Sequence, residues 1–158
     1  MSLMNTYTLA NGVKIPVLGF GTWQTPAGKV ATDAVLAALD AGFTHIDTAE
    51  MYGNEKSIGQ AVKASGIARS DLFITSKLDN QAHTYELATQ ALDRSLSDLQ
   101  TDYLDLFLIH WPNPKAFRDH DWEKHLQETW RALEDAYMAG KVKAIGVSNF
   151  KPKHFEVL

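Results

Sequence analysis

Asp47, Tyr52, Lys77 and His110 carry side chains that can hold a proton or grip a carbonyl oxygen, and they stand at or just past the ends of three successive predicted strands. Each follows a short apolar run: Thr44-His45-Ile46 before Asp47, Leu72 to Ser76 before Lys77, and Leu104 to Ile109 before His110. Every run then gives way to a loop and a helical pattern. Where parallel strands alternate with helices, the carboxyl ends of the strands share one face, so residues far apart in sequence converge there. Taken singly, Asp47 suits a helix cap, Tyr52 a loop anchor, Lys77 a solvated strand end and His110 an imidazole satisfied by backbone carbonyls. Their repeated placement at strand ends favours one shared site.

The elements that must position these residues recur along the chain. Thr6 to Ile15 predicts a hairpin, with Asn11-Gly12 as a tight two-residue turn. Val17-Leu18-Gly19 predicts a first short strand, followed by a loop from Phe20 to Gly28. The next helix places Val30, Ala34, Ala37 and Ala41 on one face and stops at Gly42. The second strand ends at Asp47, and a helix from Glu55 carries Ile58 and Val62. The third ends at Lys77, with Ala88, Leu92, Leu96 and Leu99 as the following stripe. The fourth ends at His110, before Leu126, Trp130, Leu133 and Tyr137. Ala144 to Val147 predicts a fifth strand, and Lys151 begins another helix.

This order predicts the α/β class, either a (β/α)₈ TIM barrel or a doubly wound sheet, and the nucleotide fingerprint of the latter is missing. Gly19-Phe20-Gly21-Thr22-Trp23-Gln24 has Gln24 where a third glycine belongs, and Gly28-Lys29-Val30 lacks the remainder of a P-loop. A complete barrel needs eight strands and about 250 residues. The expectation is therefore that residues 1–158 supply the hairpin and about five βα units, the N-terminal part of a single barrel domain whose C-terminal part is absent from this chain.

Composition narrows the function classes. With 45% apolar and 22% charged residues the chain is of ordinary globular make-up, and its net charge of -4 offers no basic footprint for nucleic acid or anionic membrane. No apolar run is long enough to span a bilayer or to form a signal-peptide core, which predicts a cytoplasmic protein. Cysteine is absent, excluding disulfide and thiol chemistry. His120 and His125 lack metal-ligand spacing, and His45, His83 and His154 read as structural or exposed, so no metal site is expected. Met1-Ser2-Leu3 ahead of Met4 reads as an added leader outside the fold.

Four separated motifs carry a family resemblance. Gly42 to Glu55, GFTHIDTAEMYGNE, followed by Ile58-Gly59, resembles the first signature of the aldo-keto reductases; Trp130 to Phe150, ending in GKVKAIGVSNF, resembles the second. Ile74-Thr75-Ser76-Lys77-Leu78 and Leu108-Ile109-His110-Trp111-Pro112 resemble the segments bearing that family's lysine and histidine. The family's third signature, a basic stretch that grips the cofactor's adenosine phosphate, has no counterpart here. The resemblance implies reduction of an aldehyde or ketone by hydride transfer from NADPH, with NADH not excluded. Its tetrad falls on Asp47, Tyr52, Lys77 and His110.

These residue types suit that chemistry. A carbonyl receiving a hydride develops an alkoxide that needs a proton, and a phenol with a pKa of about 10 is a reluctant donor. A nearby ammonium makes a phenol a better donor, and a carboxylate holds the ammonium in place. A neutral imidazole can donate a hydrogen bond to the carbonyl oxygen. Ser148 and Asn149 present a hydroxyl and an amide of the kind that holds a nicotinamide carboxamide, although both also suit a helix N-cap. The resemblance adds Thr22 and Asp47 to the cofactor-binding set. Trp23 and Trp111 suit aromatic pocket walls or core packing. Two positions depart from the family pattern: Thr44 replaces a usual arginine, and Asp79 stands where many members have tryptophan, making one pocket wall polar. Rival readings are a binding or regulatory subunit of the same fold and an inactive truncated fragment. The expected partner is a small carbonyl compound; oligomeric state is open.

Overall fold

A computed structural model describes residues 5–158, so the leader expected at Met1-Ser2-Leu3 lies outside the described residues. The hairpin pairs β1 (Thr6–Thr8) with β2 (Lys14–Pro16), Tyr7 opposite Ile15. Five parallel strands follow, each preceding a helix: β3 (Phe20–Gly21), α1 (Lys29–Asp40), β4 (His45–Asp47), α2 (Glu55–Ser65), β5 (Phe73–Leu78), α3 (Tyr85–Leu99), β6 (Leu106–Ile109), α4 (Trp122–Met138), β7 (Ile145–Val147) and α5 (Pro152–Phe155). The sheet order is β3-β4-β5-β6-β7, identical to chain order. A doubly wound sheet reverses its order at a switch point, and this one does not; it is barrel-type α/β architecture. Among the described residues no helix is long and apolar enough to cross a membrane.

Every residue of β5 is buried, as a central parallel strand covered on both faces requires. Ile46, Ile74, Leu78, Phe107 and Ile109 of the strands form one core with Val35, Leu39, Ile58, Leu99, Leu126 and Leu133. Gly42, at φ 92°, ends α1 in a left-handed turn that lets Phe43 N–H reach the Ala38 carbonyl. At the opposite end of the strands from the predicted site, Arg69 bonds the Leu72 and Tyr103 carbonyls and pairs with Asp105 at 2.8 Å. The hairpin is tied to this end by Asn11, whose amide donates to the Lys143 carbonyl.

Four expectations need correction. The hairpin turn is longer than two residues: Leu9 pairs with Val13, and Ala10-Asn11-Gly12 lie between them, with only Gly12 at positive φ. Asn11 has spent its side chain on the Val13 N–H and Lys143, which holds it in the ordinary backbone region. The first strand lies at Phe20–Gly21 rather than Val17-Leu18-Gly19, because Val17 N–H is still bonded to Asn5 beside the hairpin. A Cβ at Gly19 would meet His45 Nδ1 at 2.6 Å, so that glycine permits the crossing. The inner face of α1 is Ala31, Val35, Ala38 and Leu39, and Val30 is 56% exposed. Two apolar stripes compete on this helix, and the larger Val35 and Leu39 bury more area than the alanines of the other. Finally, Ala144 precedes β7 as a buried residue outside the strand.

One buried polar link joins three elements. Glu55 at the start of α2 accepts hydrogen bonds from Ser76 of β5 at 2.5 Å and from Ser95 of α3 at 3.0 Å. Burial pushes its carboxyl up from 4.5 to about 7, against the pull of the two serine hydroxyls. A carboxyl whose folded value lies above its unfolded one adds most stability below about pH 4.5, and that contribution is lost as pH rises through about 7. Denaturant titrations of Glu55→Gln and the parent at pH 5 and pH 7.5 should show the parent losing up to about 3 kcal/mol that the variant keeps. Parallel pH profiles would show that Glu55 is ionised throughout.

Candidate active site

Parallel register brings the site together. Asp47 at the end of β4 lies opposite Gly21 on one side and Thr75 on the other, and Lys77 lies opposite Leu108. Thr75 and Lys77 are two apart on one strand, so they face the same way. Lys77 therefore reaches back across β4: its Nζ stands 2.5 Å from Asp47 Oδ1 and donates to the Thr48 carbonyl at 2.9 Å. At 7% exposure this ammonium is nearly shut off from water, and a buried cation requires such partners.

Tyr52 ends the 3₁₀ turn Glu50–Tyr52, which Gly53 closes at φ 68°. The turn swings the phenol over the strand ends. Lys77 Nζ lies 5.3 Å from the centre of its ring, and the His110 ring meets it edge-on at 5.8 Å and 74°. His110, just past β6, is buried, and its Nδ1 has no partner among the described residues. Burial lowers its pKa below 6.5, helped by the charge of Lys77 and opposed by Asp47 and Asp79. The imidazole is accordingly neutral at neutral pH.

The next strand adds a pair of polar groups. Ser148 N–H bonds the Ile109 carbonyl, which extends the β6-β7 ladder to the edge of the site. Asn149 is in the left-handed region at φ 62°, tolerable for asparagine, and this turns its amide N–H₂ to the His110 carbonyl at 2.9 Å and to Ser148 Oγ at 3.1 Å. Thr22 is fully buried at the end of β3, with its N–H and hydroxyl both on the Asp47 carbonyl.

The rim is mixed. Trp23 and Trp111, in the loops after β3 and β6, are 68% and 46% exposed. Asp79 follows β5, and its carboxylate caps the loop by accepting from Gln81 N–H at 2.7 Å. Thr44 lies elsewhere, lining a small polar cleft with Asp71, Asp105 and Lys143. The tetrad, Thr22, Ser148 and Asn149 thus gather at one end of the sheet, with the three pocket candidates around them.

Spacing did not single out the buried Thr48 and Asn54. Thr48 donates to Asn54 Oδ1, and the Asn54 amide in turn donates to the Thr22 and Thr25 carbonyls, stitching the loop after β3 to the segment that holds Lys77. Both lie inside the first motif. Their burial follows from the path of two loops, which no local pattern encodes.

Comparison with known proteins identifies the family. The model of the aldo/keto reductase family matches residues 17–158. Glyoxal reductase of Bacillus subtilis is 47% identical over 157 residues, covering 99% of this chain and 54% of that protein. A 9,11-endoperoxide prostaglandin H2 reductase of Trypanosoma cruzi is 44% identical, over 98% of this chain and 51% of the relative. An aldo/keto reductase structure from Brucella melitensis superposes with a TM-score of 0.88 at 47% identity, over 96% of this chain and 56% of its own. A Bombyx mori aldo-keto reductase in complex with NADP gives 0.85 at 33% identity, over 99% and 54%. The chain spans about half the length of the curated relatives it matches. With both signature motifs at the strand ends and a family match running from Val17 to Leu158, the chain belongs to the aldo/keto reductase family.

Proposed function

We propose that these residues form the N-terminal part of a cytoplasmic barrel enzyme that reduces an aldehyde or ketone to the alcohol with NADPH, Tyr52 being the proton donor. One observation carries the reading: the Tyr52 ring has a carboxylate-paired ammonium 5.3 Å from its centre and a neutral imidazole edge-on at 5.8 Å, at the mouth of a parallel sheet. NADP in the silkworm relative supports the choice of cofactor.

The residues present suit the nicotinamide end of a dinucleotide. Asn149 uses its amide nitrogen on His110 and Ser148, which points the amide group at the strand ends, and Ser148 sets a hydroxyl beside it. Ser148 and Asn149 would hold the carboxamide, with Thr22 and Asp47 on the opposite flank. Bound there, the nicotinamide supplies the hydride. His110 donates a hydrogen bond to the carbonyl oxygen and fixes its approach. Tyr52 delivers the proton to that oxygen as charge develops. The Lys77 ammonium stabilises the negative charge left on the phenol oxygen, and Asp47 keeps the ammonium in position. Trp23, Trp111 and Asp79 line the approach, an aromatic wall facing an acidic one. Small polar carbonyl compounds suit such a mouth, and the name of the Bacillus relative makes glyoxal a natural first substrate to assay.

In the full-length protein, Tyr52→Phe should keep NADPH affinity and lose about 10²- to 10⁴-fold in kcat. Lys77→Met should be comparably damaging, and the double variant little worse than either, since the two act as a unit. Single-turnover reduction of an aldehyde is the measurement; multiplicative losses, or near-normal turnover by Tyr52→Phe, would assign the proton to another group.

The lowered pKa of His110 gives a pH signature. Because burial holds the imidazole's pKa below the ordinary 6.5, the acid-side decline of kcat/KM should have its midpoint below 6.5. NMR titration of the His110 ring should show the same midpoint, and a midpoint above 6.5 would contradict the neutral donor. Asp79→Trp should shift kcat/KM toward aromatic over small polar aldehydes, and an unchanged ratio would place Asp79 outside the pocket.

A further inference from the structure

The turn that carries Tyr52 is tied to the rest of the site by a carboxylate that the reduction itself does not use. Glu50 opens this turn, and its side chain is largely buried. Its Oε1 accepts from Arg94 of α3, 3.0 Å from Nε and 2.9 Å from Nη2. Its Oε2 accepts from the backbone N–H of Asp79 at 3.3 Å. Asp79 is separated from Lys77 by Leu78 alone. One carboxylate thus joins the turn bearing the phenol to the strand end bearing the ammonium, and anchors both to a helix.

Bonds within the turn cannot do this. Tyr52 N–H reaches the Ala49 carbonyl and Gly53 N–H the Glu50 carbonyl, which shape the turn without orienting it toward β5. Asn54 secures the chain beyond the turn by tying it to the loop after β3. Among the described residues, the other side-chain hydrogen bond between the turn and the loop after β5 is weak, Asn80 Nδ2 lying 4.0 Å from Met51 Sδ. Arg94 is half exposed, so the ion pair by itself contributes little stability. What the carboxylate supplies is geometry, through charge-assisted bonds to both sides.

We infer that Glu50 is a positioning residue for the proton donor: by holding Arg94 and the Asp79 N–H together, it sets the placement of Tyr52 against Lys77 and His110. The inference rests on the reduction chemistry proposed above. A misplacement of about 1 Å at a reacting group can cost about 10²-fold in rate.

The test uses the full-length protein, NADPH and glyoxal, reading single-turnover rate, NADPH affinity and the solvent isotope effect on reduction. Glu50→Ala should lower the rate roughly 10- to 100-fold, leave NADPH affinity largely unchanged and raise the isotope effect, because proton delivery becomes more limiting. Arg94→Met, made at a half-exposed position, should act in the same direction and more weakly; it carries the test if Glu50→Ala does not fold. In a Tyr52→Phe background Glu50→Ala should cost nothing more, since Glu50 acts only through the phenol. Parent-like rates in both Glu50→Ala and Arg94→Met, or a full further loss in the Tyr52→Phe background, would overturn the positioning role alone. Normal turnover by Tyr52→Phe would overturn both this role and the proton-donor reading.

Discussion

The site depends on the register between β4 and β5. Successive side chains of a strand point to opposite faces, so slipping β5 by one residue would turn Lys77 toward the helices and Ser76 toward the site. Both consequences are costly. An ammonium now paired with Asp47 would be buried without its carboxylate, and Glu55 would lose a hydroxyl that hydrogen-bonds its buried carboxyl. Two polar pairs on opposite faces of one strand therefore enforce the same parity. The face of β5 that bears Lys77 and the face that packs on the helices are specified together.

The two carboxylates in these pairs have different surroundings. Asp47 sits at a strand end, partly open, beside a cation, and serves as a fixed counter-charge. Glu55 lies beneath the sheet among hydroxyls, and its carboxyl is pushed up to about 7. Asn54, its neighbour in sequence, is equally buried but turns toward the loop after β3. A short run of chain thus supplies the turn that carries Tyr52, the amide that staples two loops and the carboxyl that links α2 to β5 and α3. That density of tasks leaves few positions in the segment free to vary without consequence.

Rigid strands and adjustable loops divide the work at the mouth. Lys77 and Asp47 are set by their strands, and His110, just past β6, by the Asn149 amide on its carbonyl; Tyr52 and the two tryptophans ride on loops. The loop-borne phenol is consequently the member most in need of side-chain tethers. Trp23 and Trp111 form an exposed rim whose residues can change without disturbing the strands beneath.

Much was readable in the sequence because it was local. Apolar runs ending in Asp47, Lys77 and His110 announced strands with chemistry at their ends, and Ile58, Val62, Ala88 and Leu92 announced helix faces through the period of the helix. The signature motifs singled out Asp47, Tyr52, Lys77 and His110 as candidates. Other features were decided by contacts between segments distant in the chain. Asn11 looked like half of a two-residue turn until Lys143 claimed its amide, and α1 offered two apolar stripes between which only packing could choose. The partners of Glu50 and Glu55 lie on other elements, so their roles had no local signal. Periodicity records which face a residue occupies; the identity of its neighbour across a loop is settled only when the strands have paired and the loops have closed over them.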